Sequence, residues 1–226
     1  MTVLRHGRNA GLTALAVTLL ACAPAATTAP QPNGGNGMSA AEIEALYRAR
    51  MDSVRMQFTA ADVTFMIGMI HHHAQALEMA RHVPTHGASS SIRTLAARIT
   101  SSQNDEIGRM QQWLRERDQP VPEVQVTAEG VRVSGPGHAH HMPGMLTAAQ
   151  LRQLAEAEGA AFDRLFLTFM IQHHQGAVDM VHALFATDGA AQDDTVFKLA
   201  SDVQVDQTTE IARMQRMLEA LPDTSR

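Results

Sequence analysis

The chain has 226 residues, of which 45% are hydrophobic and 18% charged, and its formal net charge is −5. That length suits one ordinary domain with appendages, and a mildly acidic chain with 4% aromatic residues excludes a nucleic-acid binder built on a basic face or a base-stacking platform. Cys22 is the single cysteine, which excludes an intrachain disulfide and a thiolate site, whereas the 14 methionines need explaining as core packing or as thioether chemistry.

From the N-terminus, residues 1–21 combine Arg5 and Arg8 with an apolar run over 12–20 and no acidic residue. This predicts a secretory signal peptide, because the apolar part is too short to span a bilayer. Its end, Leu19-Leu20-Ala21-Cys22, resembles the lipobox of bacterial lipoproteins. The resemblance implies cleavage before Cys22, lipidation of its thiol, and a protein exported to the periplasmic side and anchored there to a membrane. Ala23 rather than an acidic residue follows the cysteine directly, so in a two-membrane bacterium the expected address is the outer membrane. Losing Arg5 and Arg8 takes the mature charge to −7. Residues 22–38 are expected to be a disordered tether, since Pro, Gly, Thr and Asn dominate 24–37 and leave nothing to bury.

An accessory helix is expected over 39–58, opened by a capping box of Ser39 and Glu42. Thr59-Ala60-Ala61-Asp62 starts a second helix that ends before Pro84. Ser89 and Ser90 cap a third, running to about residue 117 and stopped by Pro120. Residues 118–146 hold Pro120, Pro122, Gly130, Gly135, Pro136, Gly137, Pro143 and Gly144 and read as a long linker. Val124-Gln125-Val126 and Val131-Arg132-Val133 could form a minor hairpin within it. Thr147 caps a helix to about residue 157, Gly159 breaks or bends the chain, and two more helices follow to about 186 and over 193–220.

Two of these helices carry one phrase twice. Met69-Ile70-His71-His72-His73, followed by Ala76 and Met79, recurs 101 positions later as Met170-Ile171-Gln172-His173-His174, followed by Ala177 and Met180. Asp62 and Phe65 match Asp163 and Phe166 at the same offset. A second block, with Gln103, Glu106, Met110 and Gln111, recurs as Gln207, Glu210, Met214 and Gln215 at an offset of 104. Each repeat (59–117 and 147–226) is therefore an αα-hairpin. Helices of about 25 residues are about 38 Å long, and the 118–146 linker can run back along that length. The expectation is an all-α protein, a ferritin-like four-helix bundle of two repeated αα-hairpins with one long crossover, forming one domain over 59–221.

Residues three, four and seven apart share a helix face. On that basis Met69, His72, His73 and Met79 form one stripe, and Met170, His173, His174 and Met180 the other. Glu106 and Met110, with Glu210 and Met214, face them from the partner helices. A methionine stripe is usually core filler, and a lone buried histidine is usually satisfied by a carbonyl. Four histidines on matched interior faces, with Glu in register, point instead to metal ligation. The histidines are the ligands of choice, the methionines thioether candidates, and Glu106 and Glu210 ligands or groups that orient imidazole. Met with His and without Cys suits Cu(I) or Ag(I), with His able to retain Cu(II). The linker adds His138, His140, His141, Met142 and Met145, a short tract able to capture soft ions.

At Met142-Pro143-Gly144-Met145-Leu146-Thr147, Phe162-Asp163, Phe166-Leu167, Met170-Ile171, His173-His174-Gln175-Gly176-Ala177, Met180 and Gln207 to Met214, the sequence resembles the bacterial family known as domain of unknown function 305. The first repeat matches it less fully, with His71 and Ala74-Gln75 where the second has Gln172 and Gln175-Gly176. The resemblance implies a secreted four-helix bundle, some members of which are linked to copper binding or resistance. The reading is an exported copper- or silver-binding protein that sequesters or delivers metal, more in keeping with a non-enzyme. A ferritin-like di-metal oxidase is an alternative, although no Glu lies three residues before any of the four histidines as such sites require. A structural or partner-binding bundle without metal is another. A homo-oligomer or a metal-delivery partner stays open.

Overall fold

The computed structural model describes residues 38–55, 57–137 and 142–222. The leader, Cys22 and the linker histidines His138, His140 and His141 lie outside the described residues. The chain divides into two units, Met1–Ile43 and Glu44–Arg226. The first is described only over residues 38–43, the start of helix α1 (Ala40–Arg55). The second holds the remaining elements: α2 (Ala60–Ala80), α3 (Ser90–Arg115), β1 (Glu123–Thr127), β2 (Gly130–Ser134), α4 (Ala148–Glu156), α5 (Gly159–Phe185) and α6 (Asp194–Glu219). The fold is mostly helical, and the hairpin makes it less than purely α. Among the described residues no helix is long and apolar enough to cross a membrane.

The helix starts follow local chemistry. Thr59 accepts from the Asp62 backbone N–H while the Asp62 carboxylate accepts from Thr59, and Thr147 forms the same box with Gln150. Ser89 accepts from Ile92 N, and Asp193 from Thr195 N and Val196 N. Each satisfies donors that the first helical turn leaves open. Gly159 sits at φ +57, so α4 and α5 are separate helices rather than one bent one, and its N–H donates to His86 O at 2.8 Å.

α2 packs on α3, α5 on α6, and α2 on α5. The ends are tied crosswise. Asp62 Oδ1, at the start of α2, accepts from Ala191 N beyond α5 at 2.7 Å. Its repeat counterpart Asp163, at the start of α5, accepts from Ser89 N beyond α2 at 3.2 and 3.3 Å. Each carboxylate is buried, so these bonds fix which helix end meets which. The hairpin pairs Val124 with Val133 and Val126 with Val131. It packs on α2, where Glu78 Oε2 accepts from Val131 N at 2.8 Å.

The core consists of two apolar clusters. One contains Phe65, Met66, Met69, Met110, Trp113, Leu184 and Val203, and the other Met79, Ile92, Leu95, Phe162, Phe166, Met170 and Met214. Each of the four long helices supplies residues to both clusters, and between them each places polar residues that are largely buried: His72 and His73, Gln103 and Glu106, His173 and His174, Gln207 and Glu210. Burying such a layer costs free energy unless its groups find partners.

Candidate metal centre

His72, His73, His173 and His174 each have 0% of their surface exposed. α2 and α5 bring the two pairs together, so that the rings of His72 and His173 lie with centroids 3.8 Å apart and planes tilted by 35°. His174 lies beside His173, with ring centroids 6.3 Å apart. The outer members of the pairs face carboxylates from the partner helices in register. His73 Nε2 meets Glu106 Oε2 at 2.5 Å, and His174 Nε2 meets Glu210 Oε2 at 2.7 Å.

The inner members are bound differently. His72 Nε2 donates to the carbonyl oxygen of Pro143 at 3.0 Å, which fixes Nε2 as its protonated nitrogen. Neither ring nitrogen of His173 makes a hydrogen bond of good geometry, the polar group near them being the backbone of His72. Nδ1 of His72, His73 and His174 is likewise buried and unpartnered, as are both amide atoms of Gln103 and the Oε1 of Gln207. Burial, reinforced by the neighbouring His73, pushes the pKa of His72 down to about 3. Burial also holds His173 well below the usual imidazole range, with His72 and His174 adding to the effect. His174 is lowered by burial against the opposing pull of Glu210. Their lowered pKa values keep these three imidazoles largely neutral at pH 7, so each has one nitrogen with a free lone pair, the form in which imidazole can bind a metal.

The methionines fall into two crossed sets. Met69 and Met110 belong to the first apolar cluster, against which Met180 of the other repeat packs. Met170 and Met214 belong to the second, together with Met79. Thioethers therefore flank the imidazole layer on both sides, each set drawn from three helices. Among the described residues no group of three or more His, Cys, Asp or Glu side chains is arranged to hold a metal ion. The carboxylates engage Nε2 of the outer histidines while the inner pair stacks, so nitrogen and oxygen donors do not converge on one point.

A strap closes the layer from outside. Gly144 and Gly176 pack so closely that a Cβ on Gly176 would lie 2.0 Å from Pro143 O, and one on Gly144, at φ +74, would lie 2.6 Å from Gln172 O. Leu146 N donates to Gln75 Oε1 at 2.7 Å while Gln75 Nε2 donates to Leu146 O at 3.1 Å. Upstream, His71 Nε2 donates to Pro136 O at 2.8 Å. His71 thus holds the linker and stands apart from the imidazole layer. Of the linker thioethers, Met142 Sδ lies near Gly68 and Met180 beside a groove of about 760 Å³, and Met145 lies by His71 and Gln75. Glu78 and Asp179 face away from the layer, the first toward the hairpin and the second toward Gln175.

Sequence reasoning brought the four histidines, Glu106 and Glu210 to one face, and the structure brings them to one layer. Gln103 and Gln207, which stand in repeat register one turn from the glutamates, are buried in the same layer. Sequence reasoning missed the Pro143 carbonyl, which no residue pattern announces.

Residues 62–218 match the family described as domain of unknown function (DUF305). The chain belongs to the DUF305 family. A DUF305 fragment of Deinococcus radiodurans is 32% identical, with a TM-score of 0.60 over 73% of this chain and 99% of that one. A DUF305 protein of Streptomyces coelicolor, named as secreted, is 26% identical, with a TM-score of 0.58 over 74% of this chain and 98% of that one. CopM in its Cu(I)-bound form is 27% identical, with a TM-score of 0.52 over 72% of this chain and 97% of that one. No curated protein matches the chain.

Proposed function

We propose that this DUF305 protein is an exported binder of soft metal ions, copper above all and silver as a second cargo, that sequesters or delivers them. The observation that carries this reading is the buried layer of four imidazoles, each with an unpartnered ring nitrogen, and methionine sets on either side. Unpartnered polar atoms at zero exposure are costly, and a cation offsets that cost. The donor set is imidazole and thioether without thiolate, which suits Cu(I) and Ag(I), and imidazole retains Cu(II). The similarity to CopM, known in Cu(I)- and Cu(II)-bound forms, supports copper as the cargo. His72, His73, His173 and His174 would supply nitrogen, Met69, Met110 and Met180 or Met79, Met170 and Met214 would supply sulfur, and Glu106 and Glu210 would orient imidazole.

The four long helices are read as a ferritin-like bundle of two repeated αα-hairpins joined by one long crossover. The crossed contacts of Asp62 and Asp163 support a pseudo-twofold relation between the repeats. The lipobox supports export and an anchor through Cys22, and the secreted name of the Streptomyces relative agrees with export. His138, His140 and His141 are assigned a capture role ahead of the buried layer.

The test is a Cu(I) competition titration on His73→Ala, His174→Ala and the linker double variant His140→Ala/His141→Ala, with helicity checked by circular dichroism. Each helix variant should lose about tenfold or more in affinity, by analogy with the loss of a ligand's supporting partner. The linker variant should slow loading and leave affinity in place. Folded helix variants that bind copper like the wild type would make the layer structural. Its imidazole–carboxylate pairs favour that rival.

A further inference from the structure

The family match begins at residue 62, so helix α1 lies outside the matched region and needs its own explanation. Its large apolar side chains are open to solvent: Ile43 is 56% exposed, Leu46 60%, Tyr47 58% and Met51 50%. At spacings of three, four and eight they form one continuous stripe of the helix, and Arg50 falls within the stripe. A helix of 16 residues is marginal in water by itself, and a contiguous exposed apolar stripe marks an interaction surface.

The charges select the occupant. Acidic Glu42 and Glu44 lie in the first half of α1; Arg48, Arg50 and Arg55 lie in the second with one acid, Asp52, which helical spacing sets on the face opposite the stripe. Glu44 and Arg48 are already paired at 2.9 Å within the helix. A parallel partner of the same sequence would set Glu44 beside Glu44 and Arg50 beside Arg50. An antiparallel one, crossed at Tyr47, sets Ile43 against Met51 and the Arg50 of each copy beside the Glu44 of the other. That arrangement is isologous and closed, so it stops at two chains.

We propose that α1 is a self-association element through which two copies of this chain pair by antiparallel packing of their Ile43–Leu46–Tyr47–Met51 stripes. The interface is small and separate from the imidazole layer. The dimer is therefore weak in free solution and independent of metal, and it is favoured wherever the chains are concentrated, as on a shared membrane surface.

The experiment uses the full exported chain with Cys22→Ser, which removes any lipid, and follows sedimentation over a wide concentration series. The expected result is a reversible monomer–dimer equilibrium that Leu46→Glu abolishes. Arg50→Glu should weaken it about tenfold or more, and adding Glu44→Arg to Arg50→Glu should restore it. Tyr47→Cys in the same background should cross-link two chains on mild oxidation. All these variants should keep the wild-type melting temperature and copper affinity, which separates this inference from the metal reading. A chain that stays monomeric throughout the series overturns the proposal. Slow hydrogen exchange in α1 of that monomer would assign the stripe to the chain's own surface. Co-flotation of the monomer with phosphatidylcholine vesicles, lost in Leu46→Glu, would assign it to lipid. A charge swap that fails to restore pairing overturns the antiparallel arrangement.

Discussion

Gly176→Ala tests whether the strap is seated on α5 as tightly as the geometry requires. The new Cβ would lie 2.0 Å from Pro143 O, 2.4 Å from Pro143 C and 2.6 Å from Gly144 Cα. All three are backbone atoms, so no side-chain rotation relieves the clash and the strap must lift. Lifting breaks the His72–Pro143 bond and both bonds between Gln75 and Leu146. At about 1 kcal/mol for each bond this costs about 3 kcal/mol, with about 1–3 kcal/mol more if His72 Nε2 stays buried without a partner. Replacing a helical glycine returns about 1 kcal/mol, leaving a net loss of roughly 2–5 kcal/mol. For a domain of this size that lowers the melting temperature by roughly 10 °C. Gly68→Ala is the control, because its Cβ would meet only the flexible tips of Met142 and Met180 at 3.3 Å. Thermal unfolding by circular dichroism and hydrogen exchange at the Leu146 amide provide the readouts. Wild-type stability in Gly176→Ala, with that amide still protected, would refute the seated strap.

Three other predictions concern the metal, the anchor and acid. Under reducing conditions without thiol buffers, the protein should bind Cu(I) and Ag(I) more tightly than Zn(II); a competition titration that favours zinc removes the thioether argument. In its native host the wild-type chain should be recovered with membranes and Cys22→Ser in the soluble exported fraction, and equal solubility of the two eliminates the anchor. His72, His173 and His174 have folded pKa values below their unfolded values, so the unfolded chain binds more protons as the pH falls. Metal-free stability should then be highest above about pH 6.5 and drop steadily below it, down toward the folded pKa of His72 at about 3. Denaturant midpoints that stay flat from neutral pH to pH 5 would place these imidazoles in water.

Much of the helical framework was legible because its signals are local. Thr59 with Asp62, Ser89, Thr147 and Asp193 start helices by bonding their own first turns, and Pro84 and Pro120 mark where helices have already ended. The repeat carried more than local information. It set His72 with His173, Glu106 with Glu210 and Gln103 with Gln207 in equivalent positions, so one sequence comparison picked out the residues of a buried layer that four separate helices build. Helical spacing also assigned those side chains to one stripe on each helix, because that depends only on the turn of the helix.

The contacts between stripes were decided by tertiary structure. Nothing in the spacing says that the inner histidines stack while the outer ones meet carboxylates, because that depends on how far α2 and α5 slide along each other. The slide is set at a distance, by Asp62 holding Ala191 N and Asp163 holding Ser89 N across more than seventy residues of chain. Likewise His72 and His71 are similar neighbours in sequence, yet one points into the layer and the other holds the linker at Pro136. A rotation of about 100° per residue about the helix axis separates them, and only the position of the neighbouring helices gives that rotation a meaning. The Pro143 carbonyl is the extreme case. A backbone oxygen has no sequence identity, and it became a partner of His72 because Gly144 and Gly176 let two backbones approach where any side chain would have held them apart.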